Sequence, residues 1–193
     1  LHSTSRRQRQ MCIRDRINVT LPTDINGIYA SNVNVGVSVS DNAATGVVSG
    51  IRSVSYKVIS LGQQTQTGDL YTYTATAGSL NDLTKSVSRN FTVDAGLNNS
   101  NDVQIEVTAV DNAGNTYKTT NVIKIDITAP TIEVSYDNNS GDTTFGDDTY
   151  FKESRTATVK VTERNFDPAK VIPVIEASAG GAPSISGLSL IHI

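Results

Sequence analysis

Between Ser31 and Asp41 four valines, Val33, Val35, Val37 and Val39, alternate with Asn32, Asn34, Gly36 and Ser38. An extended chain turns successive side chains to opposite faces, whereas a helix would scatter these valines around its circumference. The segment therefore reads as a strand with one buried and one wet face, the kind found in antiparallel sheets. The same period recurs at Val54, Tyr56 and Val58, at Val87, Phe91 and Val93, and at Val103, Ile105, Val107 and Ala109; Ile123 and Ile125 close the series. No stretch sustains a helical period, so the pattern predicts an all-β chain and argues against an α/β one.

Turn-forming clusters separate these runs: Asp41-Asn42-Ala43-Ala44-Thr45-Gly46, Thr67-Gly68-Asp69, Ala95-Gly96-Leu97-Asn98-Asn99 and Asp111-Asn112-Ala113-Gly114-Asn115. Gly, Asn and Asp take up the positive-φ conformations that tight turns need. About seven strands result. They fill residues 17–128, a span of 112 positions, close to the roughly 100 residues of an immunoglobulin-like sandwich. Val35, Val37, Val39, Tyr56, Phe91, Ile105 and Val107 are its expected core.

The pattern then restarts. Thr131-Ile132-Glu133-Val134-Ser135-Tyr136 reads as a new first strand, and Ala157, Val159 and Val161 alternate with Thr156, Thr158, Lys160 and Thr162 in a later one. Asp167-Pro168 is placed to cap one helical turn ending near Pro173. Residues 129–188 provide only 60 positions, about half a sandwich, and a piece lacking its partner strands is marginal by itself. The expectation is a truncated second domain with Ile132, Val134, Val159 and Val161 partly uncovered.

The two ends differ from the middle. Residues 1–16 hold five of the 16 basic residues, the sole Cys (Cys12), the sole Met (Met11) and His2, while the other histidine, His192, lies at the opposite tip. Residues 5–16 and 189–193 resemble translated sequencing-adapter read-through, so both ends are set aside from the fold reasoning. A basic arm for nucleic acid or anionic lipid is the alternative for the first segment, but no stacking aromatic or apolar helical face accompanies its arginines. From 17 to 188 there remain 11 Lys and Arg against 18 Asp and Glu, a net charge of −7. That balance argues against a nucleic-acid partner, and no apolar run is long enough for a helix inserted directly in a membrane.

Asp111-Asn112-Ala113-Gly114-Asn115, followed by Asp126-Ile127-Thr128-Ala129-Pro130, resembles the final hairpin and linker of bacterial immunoglobulin-like (Big-type) repeats of large surface proteins. Gly114 and Asn115 suit the left-handed positions of a tight hairpin, and Pro130 removes a donor where one sheet must stop. Tyr150 to Phe166 resembles the second strand, with its flanks, of related repeats in Gram-positive surface proteins. The resemblance covers 17–188 and implies tandem immunoglobulin-like β-sandwiches at a bacterial cell surface or wall, extracellular, with neighbouring repeats of the same chain as partners. A structural stalk is the role that follows. The alternatives are a module binding host protein or glycan, and a non-catalytic accessory domain of a secreted carbohydrate-active enzyme.

Chemistry-bearing residues are few. Residues 17–188 hold neither His nor Cys, and no Gly-rich phosphate loop or marked carboxylate pair is evident, so no catalytic residue and no enzymatic activity are expected. Asp111, Asn112, Asn115 and Asp126, with Asp24 and Asp41, offer hard oxygen ligands of the kind Ca²⁺ takes, and a Ca²⁺ ion at the linker would stiffen an array. The alternative is that these residues make Asx turns. The run from Asp142 to Asp148 stands between the same two readings, a metal site or a solvated loop.

Overall fold

The computed structural model describes residues 15–41, 48–74, 84–136, 143–145, 148–150 and 156–170. The chain is all-β. It divides into two compact units, Leu1–Ile127 and Thr128–Ile193. The adapter-like ends, apart from Asp15 and Arg16, and the expected turn at 42–46 lie outside the described residues.

Seven strands build the first unit: β1 (Asp15–Thr20), β2 (Val33–Asp41), β3 (Ile51–Ser60), β4 (Gln63–Thr72), β5 (Ser86–Val93), β6 (Val103–Asp111) and β7 (Thr116–Ile123). They form a three-stranded sheet, β1-β2-β5, and a four-stranded sheet, β4-β3-β6-β7, with every pairing antiparallel. Valines 33, 35, 37 and 39 are all buried, as are Val103, Ile105, Val107 and Ala109 on the facing sheet. Together with Ile51, Val54, Val58, Val87, Phe91, Val93, Ile123 and Ile125 they form one apolar cluster drawn from both sheets. Burying a Val or Ile side chain contributes about 1.5–3 kcal/mol, so this double layer dominates the favourable side of folding.

Three details differ from the sequence reading. β1 begins at Asp15, and Asp15 and Arg16 pair with Asp41 and Ser40, inside the segment set aside as adapter-like; ladder hydrogen bonds use the backbone and are indifferent to side-chain origin. Thr67-Gly68-Asp69 forms no turn but lies within β4. A Cβ on Gly68 would stand 2.7 Å from Cε1 of Tyr56, so the missing side chain makes room for the tyrosine ring. Tyr56, expected in the core, is half-buried; it stacks on Phe91 with centroids 3.8 Å apart and lies over Gly68 of the edge strand β4.

The turn that does connect β3 to β4 is Leu61-Gly62, with φ of 51° and 77°. Two successive positive φ values make the primed turn whose twist matches the flanking strands. Leucine is a poor occupant, because its Cβ crowds the carbonyl in this conformation. A second turn of the same kind, Asn26-Gly27 with φ of 56° and 79°, joins the mutually bonded Ile25 and Ile28.

In the second unit, β8 (Thr131–Tyr136) pairs with β11 (Ala157–Thr162), and β9 (Thr143–Phe145) pairs with β10 (Asp148–Tyr150). Of the Asp142 to Asp148 run, Thr143–Phe145 and Asp148 are thus strand residues; Asp142, Gly146 and Asp147 lie outside the described residues. A single 3-10 turn, Pro168–Lys170, follows, with Asp167 Oδ1 accepting from Ala169 N at 3.1 Å as its cap. Ile132, Val134 and Val159 are exposed and Val161 is half-buried. Ala157 is exposed and Phe166 half-buried.

Leu61→Asn should raise the stability of the first unit by about 1 kcal/mol, since Asn relieves the left-handed strain and Leu61 is exposed. A urea titration followed by tyrosine fluorescence will show it. A lower midpoint than wild type would mean that the turn is not under strain.

Candidate functional site

Asp111 ends β6 at the tip of the four-stranded sheet, and Asp41 ends β2 at the tip of the other. Each continues its strand's inward alternation, which carries both carboxylates out of water: Asp111 is 0% exposed and Asp41 5%. A buried carboxylate is tolerable only if its oxygens find donors. For Asp111 they come from its own hairpin and from Ser49, ahead of β3. Oδ1 accepts Asn115 N at 2.7 Å, and Oδ2 accepts Asn115 Nδ2 at 2.8 Å and Ser49 Oγ at 2.9 Å.

Ser49 also lies 3.4 Å from Asp41 Oδ2, which accepts Gly50 N at 2.7 Å. One hydroxyl therefore bridges the carboxylates of the two sheets. Asn112 completes the corner, its N donating to Gly50 O and its Nδ2 to Ser49 O, both at 3.0 Å. In the hairpin itself only Gly114 adopts positive φ, 86°. Asn115, expected beside it in the left-handed region, instead serves through its amide groups.

The structure thus gathers Asp41, Asp111, Asn112 and Asn115, but not Asp126. Val110 pairs with Thr116 and Val103 with Ile123, so Asp126 lies beyond the opposite end of the β6–β7 ladder, roughly 25 Å away by strand rise. Asp24 stands in the segment before the Asn26-Gly27 turn, where its Oδ1 accepts Gly27 N at 3.1 Å. The six oxygen donors of the calcium reading do not form one ligand set. Among the described residues, no group of three or more His, Cys, Asp or Glu converges. A cation at Asp111 would have to displace the Asn115 and Ser49 donors. The geometry is that of an Asx-type clamp.

No protein-family model matches the sequence, and no curated protein matches it.

A second buried polar centre lies at the other end of the sandwich. Asn98 is 0% exposed. Its Oδ1 accepts Thr65 Oγ1 at 2.6 Å, and its Nδ2 donates to Gln66 Oε1 at 2.9 Å and to Asp94 O at 2.8 Å. The loop after β5 is thereby tied to β4 of the facing sheet. Ala95 N donates to Asn32 Oδ1 at 2.8 Å, which brings in the start of β2. In the sequence Asn98 reads as one more turn residue; no spacing distinguishes it from Asn99.

The same end holds the start of the linker. Tyr29 N donates to Lys124 O and Asp126 N to Tyr29 O, both at 2.9 Å, and Ile125 N donates to Ser100 O at 2.8 Å. Ile127 N reaches Asn99 Oδ1 at 3.4 Å. The Tyr29 hydroxyl donates to Pro22 O at 2.8 Å. Burial, and secondarily the Asp24 carboxylate, raise its pKa above the ordinary 10.0. A raised folded value means that any stability from Tyr29 is fully present below the unfolded pKa and is lost as pH rises through the folded one. The contact holds at neutral pH.

Removing either polar hub takes the shared partner from several half-buried groups at once. Asp111→Ala and Asn98→Ala should each destabilise the first unit by about 3 kcal/mol, read as the shift in urea midpoint at unchanged slope. A cost below about 0.5 kcal/mol, the range of ordinary surface changes, would show that these side chains do not hold the sheets.

Proposed function

We propose that this chain is a spacer segment of a bacterial cell-surface or secreted protein, tandem immunoglobulin-like modules of a stalk. Its work is mechanical: it holds another part of the protein away from the cell. The observation that carries this reading is the shortness of the joint. The first unit is backbone-paired to Asp126, Ile127 N donates to the Asn99 side chain, and β8 starts at Thr131. Only Thr128, Ala129 and Pro130 lie between. Three residues, one with φ fixed by its ring, leave few soft dihedrals for bending.

Chemistry supports the reading as well. The buried carboxylate of Asp111 and the amide of Asn98 are turned inward, bonded to neighbouring strands and loops. The outer face of the four-stranded sheet carries Glu106, its side chain 15% exposed, between the half-exposed Lys57 and Lys118. These are the features of a scaffold, and an acidic surface keeps such a scaffold soluble outside the cell.

The expected result concerns the joint. With Cys12→Ser, spin labels at Thr120→Cys and Thr158→Cys should give a narrow inter-label distance distribution, and inserting Gly-Ser-Gly-Ser after Ala129 should broaden it. A wild-type distribution as broad as that of the insertion variant would refute the spacer reading.

A further inference from the structure

Arg89 interrupts the apolar face of β5. Val87, Phe91 and Val93 are buried, and by strand alternation Arg89 shares their side of the strand, yet it is exposed. Its cross-strand neighbour on β2 is Val37, 2% exposed. The guanidinium does not enter the core. It bends back along the strand, and Nη1 donates to Ser88 O at 2.8 Å.

β5 is the last strand of the three-stranded sheet. The even-numbered residues of such an edge turn their peptide groups away from the sheet, and a row of unpaired N–H and C=O groups is a template for another strand. At the Val93 end this row is already occupied. Gln66 Nε2 donates to Thr92 O at 3.2 Å, and Gln66 Oε1 accepts Asp94 N at 2.9 Å. One side-chain amide thus substitutes for the peptide group of a neighbouring strand. At Ser88 the arginine covers the carbonyl, so that among the described residues the Ser88 N–H and the Asn90 peptide group between them remain without such a guard.

We propose that Arg89 and Gln66 guard the free edge of β5 against pairing with a strand of a second copy of this chain. An incoming strand would have to displace both side chains and desolvate a guanidinium on the side that faces the core. Without the arginine, β5 would present a continuous apolar face and an open ladder. The guard acts in the isolated chain and is independent of the cellular role.

The test uses the whole chain in sedimentation velocity over a concentration series, with amide hydrogen exchange on the same samples. Arg89→Val should associate at about tenfold lower concentration than wild type, and the amides of Ser88 and Asn90 should exchange more slowly in the associated form. Arg89→Thr removes the charge without adding much apolar surface, and carries the test if Arg89→Val does not fold. Arg89→Lys should behave as wild type. Association of neither neutral variant would overturn the proposal. So would association that leaves Ser88 and Asn90 exchange unchanged, which would place the contact elsewhere, such as the exposed Ile132, Val134 and Val159.

Discussion

The carboxylate of Asp111 is the constraint on which the first unit depends. It is fully buried at the tip of β6, where an unpaired charge would cost several kcal/mol, and three donors from Asn115 and Ser49 make its position tenable. Meeting that requirement shapes the corner. The hairpin must place Asn115 over the strand end, with Gly114 at positive φ, and the chain before β3 must bring Ser49 across from the Asp41 side. Two sheets that apolar contact alone would let slide are held at one register.

Asn98 does the corresponding work at the far end, with neutral groups. Its amide joins Thr65 and Gln66 of β4 to the loop after β5, and the same Gln66 amide continues to the edge of β5. The apolar layer supplies the driving force, and the two polar hubs, one at each end, specify how the layers meet. Such hubs stabilise only when complete. The interior of the sandwich is otherwise mostly Val and Ile, which packs in many ways.

The apolar layer was legible in the sequence because period-two alternation at Val33 to Val39 and Val103 to Ala109 has one physical interpretation. β4 was not, since an edge strand covered on one side by a polar loop needs no apolar alternation: Gln63 to Asp69 contains none, and Gly68 imitates a turn while making room for Tyr56. The Leu61-Gly62 turn carries an uncharacteristic residue. Asn26-Gly27 does carry the strongest two-residue hairpin signal, but Ile25 and Ile28 form only a bridge, too short for a strand pattern. Of the calcium ligand set, Asp111, Asn112 and Asn115 were placed together correctly by their closeness in sequence. Asp126 separates from them because β7 carries the chain back to the opposite end, a consequence of topology that no local motif contains.

If chain donors, and not a cation, satisfy these buried oxygens, the stability of the first unit should be indifferent to calcium. The direct measurement is thermal unfolding of the whole chain in EDTA and again with saturating Ca²⁺ at constant ionic strength, followed by tyrosine fluorescence. The account predicts coincident transitions for the first unit. A melting temperature that climbs with Ca²⁺ concentration, and falls back when Asp111→Asn is introduced, would contradict it, because a ligand that binds only the folded state must raise stability.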